Sequence, residues 1–184
     1  MPALLLTDLL QQAQAGDAAA LRSIFATTYD ELCAMARRRL SVTSRGALLD
    51  TTSLVHESFE RFANAGQLRI QDRPHFFRYA SQTMRSVVVD YVREHLSQRR
   101  GGGAERVTLT TCIGNDEDGA EEIMQVHEAL DELAKLDQRL AQVVEMRYFA
   151  GMTEAEIAAA LDIADRTVRR DWEKARLMLL QALT

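Results

Sequence analysis

The chain has 184 residues, 47% of them apolar and 27% charged, with a net charge of −5; this is enough apolar material for a buried core and the wrong sign for a generally basic nucleic-acid binder. Two Pro and nine Gly, three of the Gly consecutive at 101–103, leave few helix breakers and gather them in one place, so an all-α chain with one break is expected. No apolar run approaches the roughly 18 residues that span a bilayer, and the opening MPALLLTDLL lacks a basic start and meets Asp8 at once, so no membrane segment or secretory signal is expected and the expected location is cytoplasmic.

In chain order, Leu5, Leu9, Leu21, Ile24, Phe25, Leu32, Met35 and Leu40 are spaced for two helices broken near Gly16-Asp17. After a polar stretch containing Gly46, Leu54, Val55, Phe59 and Phe62 predict a third helix that starts at 51–53 and stops at 63–66. Pro74 suits a helix start, and Phe76, Phe77, Ala80, Met84, Val87, Val88, Tyr91 and Val92 predict a long fourth helix to about residue 98. Four more helices are expected at 123–136, 140–148, 154–160 and 166–183. The one strand-like stretch is 107–110.

The strongest local signal lies near the C-terminus. Thr153 followed three residues later by Glu156 is a capping box, Ile157 and the alanines 158–160 allow close packing, and Leu161, Asp162 and Ile163 form a turn into a helix that opens with Arg166, Thr167, Arg169 and Arg170. This pattern predicts a helix-turn-helix whose second helix reaches base edges and phosphates. The buried stripe of that helix is expected to be Val168, Trp172, Ala175 and Leu177, with Trp172 in the core rather than a stacking platform.

Between residues 101 and 122, Glu105, Asp116, Glu117, Asp118, Glu121 and Glu122 face the single Arg106, so this segment carries the whole net charge of −5. The remainder is balanced but holds basic clusters at Arg37, Arg38 and Arg39, at Arg99 and Arg100, and along 166–176. Of the 22 cationic residues all but Lys135 and Lys174 are Arg; this suits forked contacts to phosphate and guanine, and a GC-rich genome gives the same bias. Cys33 and Cys112 have neither metal-ligand spacing nor the neighbours of a nucleophile, and are expected to be reduced and structural. His56, His75, His95 and His127 share no ligand spacing, and residues 101–103 lack the strand, Lys and Ser or Thr of a phosphate loop. No enzyme, metal or cofactor is expected.

The order HESFERF, HFFRYASQTMRSVVVDYVRE, linker and TVRRDWEKAR resembles the two-domain extracytoplasmic-function sigma factors of bacterial RNA polymerase. The resemblance implies two small helical domains joined by a flexible acidic linker: residues 1–98 binding the β′ clamp helices of the polymerase core and melting the −10 promoter element, residues 99–122 as the linker, and residues 123–184 binding the −35 element and the β flap. On that alignment −35 DNA is contacted by Arg166, Thr167, Arg169, Arg170 and Lys174. The −10 strand follows Gln82, Arg85 and Ser86 with Arg78 and Tyr79, and the loop 66–73 walls a pocket for an unstacked base. The clamp is met by Asp50, Leu54, His56, Glu57 and Glu60. The acidic linker either threads a positively charged RNA exit path or is a solvated tether.

One departure from the family pattern has a consequence. Where the family carries an acidic run ahead of Leu-Val-x-Glu, this chain has Asp50, Thr51, Thr52 and Ser53 before Leu54-Val55-His56-Glu57. Two carboxylates are hydroxyls, which weakens pairing with a cationic clamp helix. Either a serine/threonine kinase restores the charge by phosphorylation at 51–53, in place of release from an anti-sigma factor, with Thr51, expected to be the most exposed of the three, as the favoured acceptor, or these residues are simply helix caps. The competing function is a helix-turn-helix regulator that binds duplex DNA without polymerase; a polymerase decoy is a third.

Overall fold

The computed structural model describes residues 2–41, 49–64, 70–100 and 117–183. These form helices α1 (Pro2–Gln14), α2 (Ala18–Ser41), α3 (Thr51–Asn64), α4 (Arg73–Arg100), α5 (Glu117–Leu136), α6 (Gln138–Val144), α7 (Glu154–Leu161) and α8 (Asp165–Ala182), with a π-helical turn at Glu145–Phe149 between α6 and α7. No strand occurs among the described residues; the stretch 107–110, Cys112 and most of the expected linker lie outside them.

Local chemistry sets the helix ends. Gly16 takes φ +95° at the α1–α2 break, a conformation that costs a residue with a Cβ, and the Asp17 carboxylate then accepts from the amides of Ala19 (2.7 Å) and Ala20 (3.3 Å) to start α2. Asp72 starts α4 in the same way through the His75 amide at 3.0 Å, and Pro74 falls in the first turn, where a missing N–H is harmless. Asp137 caps α6 through the amides of Arg139 and Leu140. The acids at 117–122, expected in the linker, instead open α5, where the helix dipole favours negative charge.

Two expectations give way to packing. The expected helix over 140–148 becomes α6 and a π turn: Ala150 N–H reaches the Glu145 carbonyl at 3.1 Å and Met152 N–H the Met146 carbonyl at 3.0 Å, and the wider turn lets Glu145, Met146 and Phe149 all face inward. Leu177 is 57% exposed. The inner line of α8 is Val168, Asp171 and Ala175 with half-buried Trp172 and Leu179, a helical phase that excludes position 177. Asp171 is admitted because Arg139 Nε donates to its carboxylate at 2.6 Å.

The main core joins both ends of the chain. Leu10, Ile24, Met35, Leu54, Val55, Phe76, Met84 and Val87 pack in one cluster with Val143, Met146, Ile157 and Val168. A second cluster, Leu130, Leu133, Leu140, Val144, Phe149 and Ala175, lies between α5, α6 and α8. Buried polar groups stitch the two parts: Arg39 Nη2 donates to Glu145 Oε2 at 2.5 Å and to the Ser81 carbonyl at 3.0 Å, and its guanidinium lies 3.5 Å from the centre of the Phe149 ring. Arg39 and Glu145 are 6% and 4% exposed.

Removing one member of a buried pair strands the other charge, at a cost of about 3–5 kcal/mol. Glu145→Ala should therefore lower stability by roughly that amount, and Arg39→Met combined with Glu145→Met should recover much of it, as measured by urea unfolding followed by circular dichroism. A single-variant loss below about 1 kcal/mol would mean that water reaches the pair.

Candidate nucleic-acid interface

The C-terminal hairpin is built around a short, well-capped first helix. Glu156 N–H donates to Thr153 Oγ1 (3.3 Å) while Thr153 N–H donates to Glu156 Oε2 (2.9 Å), the reciprocal pair anticipated from the sequence. Asp162 ends α7 at φ +52°, and Ile163 N–H returns to the Ala158 carbonyl at 3.0 Å. Buried Ala158 and Ala160 let α8 approach closely through Val168. This leaves Arg166, Arg169 and Arg170 exposed at the start of α8, Thr167 half-buried beside them, and Lys174 one turn on, 3.9 Å from Asp137.

Arg169 is held from behind. Its Nε donates to Glu154 Oε2 at 2.6 Å, and Arg147 Nη1 donates to the other oxygen of the same carboxylate at 2.9 Å. The Arg169 bond, then the Arg147 bond, keep the Glu154 carboxyl below its ordinary range. Arg147 lies 4.9 Å from the centre of the Trp172 ring, and Trp172 packs against both clusters as a core residue.

On α4, Gln82 and Ser86 are exposed and Arg78 and Tyr79 half-buried, Tyr79 against Phe62. Burial lowers the Arg78 pKa. Arg61 reaches across from α3 to Ser86 Oγ (3.2 Å) and Asp90 (2.7 Å). Arg85, expected on the same outer face, lies under α5: it donates to His127 Nδ1 (2.7 Å), the His127 carbonyl (2.9 Å) and Asp131 Oδ1 (2.7 Å), and sits 3.4 Å from Glu145 Oε1. Because a guanidinium only donates, His127 Nδ1 is the acceptor, leaving the Nε2 proton to face Asp131 Oδ2 at 3.2 Å. Burial first, and Arg85 second, depress the His127 pKa and favour this neutral ring. Phe77 is a core residue with Arg73 over its ring at 4.6 Å. Residues 66–69 of the expected pocket wall lie outside the described residues.

On α3, His56 and Glu60 are exposed and Glu57 is half-buried, bonded to Arg61 at 3.0 Å. Leu54 is wholly buried, so it supports this surface from beneath instead of touching a partner. Phe25 and Tyr29 of α2 and Phe59 of α3 form an aromatic group around His56, with Phe25 5.3 Å from the His56 ring. The sequence spacing predicts helix packing alone for Phe25 and Phe59 and makes no prediction for Tyr29. The cap of α3 is Asp50, which accepts from Thr52 N–H (2.8 Å), Ser53 N–H (3.0 Å) and Ser53 Oγ (2.5 Å). Thr52 is the exposed hydroxyl; Thr51, expected to be more exposed, is half-buried, as is Ser53.

Residues 5–184 match the family model described as ECF sigma factor. The chain belongs to the ECF sigma factor family. None of the curated proteins compared with it matches. An ECF sigma factor is an alternative sigma factor whose partners in transcription initiation are RNA polymerase core and promoter DNA. Among the described residues of this sigma factor, no group of three or more His, Cys, Asp or Glu could hold a metal ion, and no helix is long and apolar enough to cross a membrane.

The Asp50 cap has a pH signature. Hydrogen bonds from the Ser53 hydroxyl first, then from the Ser53 and Thr52 amides, hold its carboxyl below the ordinary range. A depressed carboxyl contributes stability that is complete above its unfolded value, about pH 4, and is lost as the pH falls through the folded one. Asp50→Ala should cost about 1 kcal/mol at neutral pH, and the difference in thermal unfolding between variant and parent should shrink as the pH is taken below about 4.

Proposed function

We propose that this sigma factor works through three surfaces: α8 reading the −35 element with Arg166, Thr167, Arg169, Arg170 and Lys174; the outer face of α4 following the melted −10 strand with Gln82, Ser86, Arg85, Arg78 and Tyr79; and α3 meeting the polymerase clamp with Asp50, His56, Glu57 and Glu60 over the Phe25–Tyr29–Phe59 group. The reading divides the work between residues 1–98 and 123–184, with 99–122 connecting them. The observation that carries it is the exposed basic row opening α8, set on a capped helix and a closed turn; a plain helical hairpin needs no such row. The −10 role requires Arg85 to exchange Asp131 and His127 for DNA, so α5 must move off α4 when the promoter opens.

Control at 51–53 is the finer part of the proposal. The Asp50 charge is used within the helix start and Glu57 is paired with Arg61, leaving Glu60 as the exposed acid of the set. A phosphate brings about −1.5 to −2 charges, as much as the two carboxylates that the family pattern has and this chain lacks. Exposure favours Thr52 as the acceptor for a serine/threonine kinase.

Run-off transcription with purified core polymerase tests the reading. Arg169→Ala or Arg170→Ala should lose about 1–3 kcal/mol in promoter binding if the residue makes a forked base contact, with core binding spared. Promoter-dependent transcription unchanged in both variants would mean that α8 is misassigned, and a shift of promoter DNA by the protein without core would favour the duplex-binding regulator. Thr52→Ala should abolish activity in cells while Thr52→Glu restores part of it; full activity of Thr52→Ala, with no phosphate at 51–53 by mass spectrometry, excludes kinase control.

A further inference from the structure

We infer that Glu154 is a positioning residue for base reading: it fixes the Arg169 guanidinium so that the Nη1/Nη2 edge, and no other part of it, is offered to DNA. This rests on the reading of α8 as the −35 helix and adds to it a residue of α7 that touches no base. Three observations carry it. First, the bond from Arg169 to Glu154 uses Nε at 2.6 Å, which occupies the side of the guanidinium and leaves its terminal fork without a hydrogen bond to any described residue; that fork is the part that matches guanine O6 and N7. Second, the support is rigid. Glu154 is the first residue of α7, next to the Thr153–Glu156 capping box, and its second oxygen is held by Arg147, which lies over the Trp172 ring. A chain of contacts thus runs from the core through Trp172, Arg147 and Glu154 to Arg169. Third, Arg147 and Arg169 share that carboxylate and exposed Arg166 and Arg170 stand beside them, so the approaching duplex meets net positive charge although Glu154 lies beneath Arg169 and Asp165 acts on it.

Stability is a poor account of the arrangement, since Arg169 is 68% exposed and an exposed ion pair contributes little to folding. Direction is the better one. An unrestrained Arg at the start of a recognition helix can collapse onto any phosphate within reach, which raises affinity without sequence information. An Arg tied at Nε has lost that freedom before DNA arrives.

The test uses the full chain with core polymerase and a promoter panel carrying every base at each −35 position, together with binding to a non-promoter duplex. Arg169→Ala should flatten discrimination at one base pair by roughly ten- to hundredfold. Glu154→Asp keeps the charge at the helix start but withdraws it by one methylene, and Glu154→Gln keeps the shape without the charge; each should flatten the same base pair by about two- to tenfold, the worth of fixing one long side chain, while binding to non-promoter DNA rises and the protein stays folded with only a small fall in thermal stability. In the Arg169→Ala background Glu154→Asp should have no further effect at that base pair. If Arg169→Ala flattens a position and both Glu154 variants leave it intact, or weaken all positions equally, the positioning role is overturned and the −35 reading stands. If Arg169→Ala flattens no position, the −35 reading itself has failed and Glu154 positions nothing.

Discussion

The packing of this sigma factor turns on one buried ion pair, Arg39 with Glu145. Burial first, with a smaller push from the Arg85 charge, drives the Arg39 pKa down, and Glu145 opposes that shift; neither group would be tolerated in the core without the other. The pair joins the end of α2 to the π turn, and its further contacts, Ser81 on α4 and the face of Phe149, come from both parts of the chain. Satisfaction is incomplete: among the described residues Arg39 Nε and Glu145 Oε1 have no hydrogen-bond partner, with Arg85 Nε 3.4 Å from Oε1 as a charge neighbour only. A hydrophobic pair of similar volume would fill the same space without that deficit. What the ionic pair adds is direction: Glu145 accepts where the Arg39 fork points, so α2, α4 and the π turn meet in one register.

That register decides what α4 can show to a ligand. With the π turn seated on α2 and α4, α5 lies along α4 and Arg85 finds His127 and Asp131 within hydrogen-bond reach. Gln82 and Ser86, on the same helical face by spacing, remain open to solvent. One helix face is thus divided, with its cation held by the C-terminal part and its neutral polar groups outside. The Arg85 contacts are half-buried, and Asp131 is about half exposed, so exchanging them for a phosphate involves far less desolvation than parting Arg39 from Glu145. The structure therefore has a weaker seam at α4–α5 and a stronger one at the π turn.

Much of the fold was legible wherever the signal is local. Gly16-Asp17 ends one helix and caps the next, and Thr153 with Glu156 forms its box, because these effects involve residues within four of one another. Steps of four and three residues on α2 run through Ala20, Ile24, Thr28, Leu32, Met35 and Arg39, all buried, so an Arg in apolar phase was a readable hint of a buried partner. The partner was not readable. Helical phase places a residue relative to its own axis and says nothing of which other helix covers it; this is why Arg85 was expected outside, Leu54 at a contact surface and Leu177 in the core. The π turn was hidden for a related reason: a one-residue widening changes the phase in mid-helix, and the apolar pattern of 140–149 fits a continuous helix as well as a broken one.

The arginine bias of the composition admits a genomic explanation and a structural one, and particular sites separate them. Arg39 donates from Nη2 to Glu145 and to Ser81 while its flat face covers Phe149, and Arg61 spans Ser86 and Asp90 with one terminal nitrogen and Glu57 with the other; an ammonium lacks the face for the first task and the width for the second. At these positions Arg is required whatever the codon supply. Lys174 is the contrasting case: it lies on the same exposed surface of α8 as the arginines and faces Asp137 at 3.9 Å, a distance at which a point charge serves as well as a fork. A base-reading residue needs the fork and a phosphate-facing one does not. On the proposed reading of α8, Arg169, with its Nε already taken and its terminal fork open, suits the first task, and Lys174 the second.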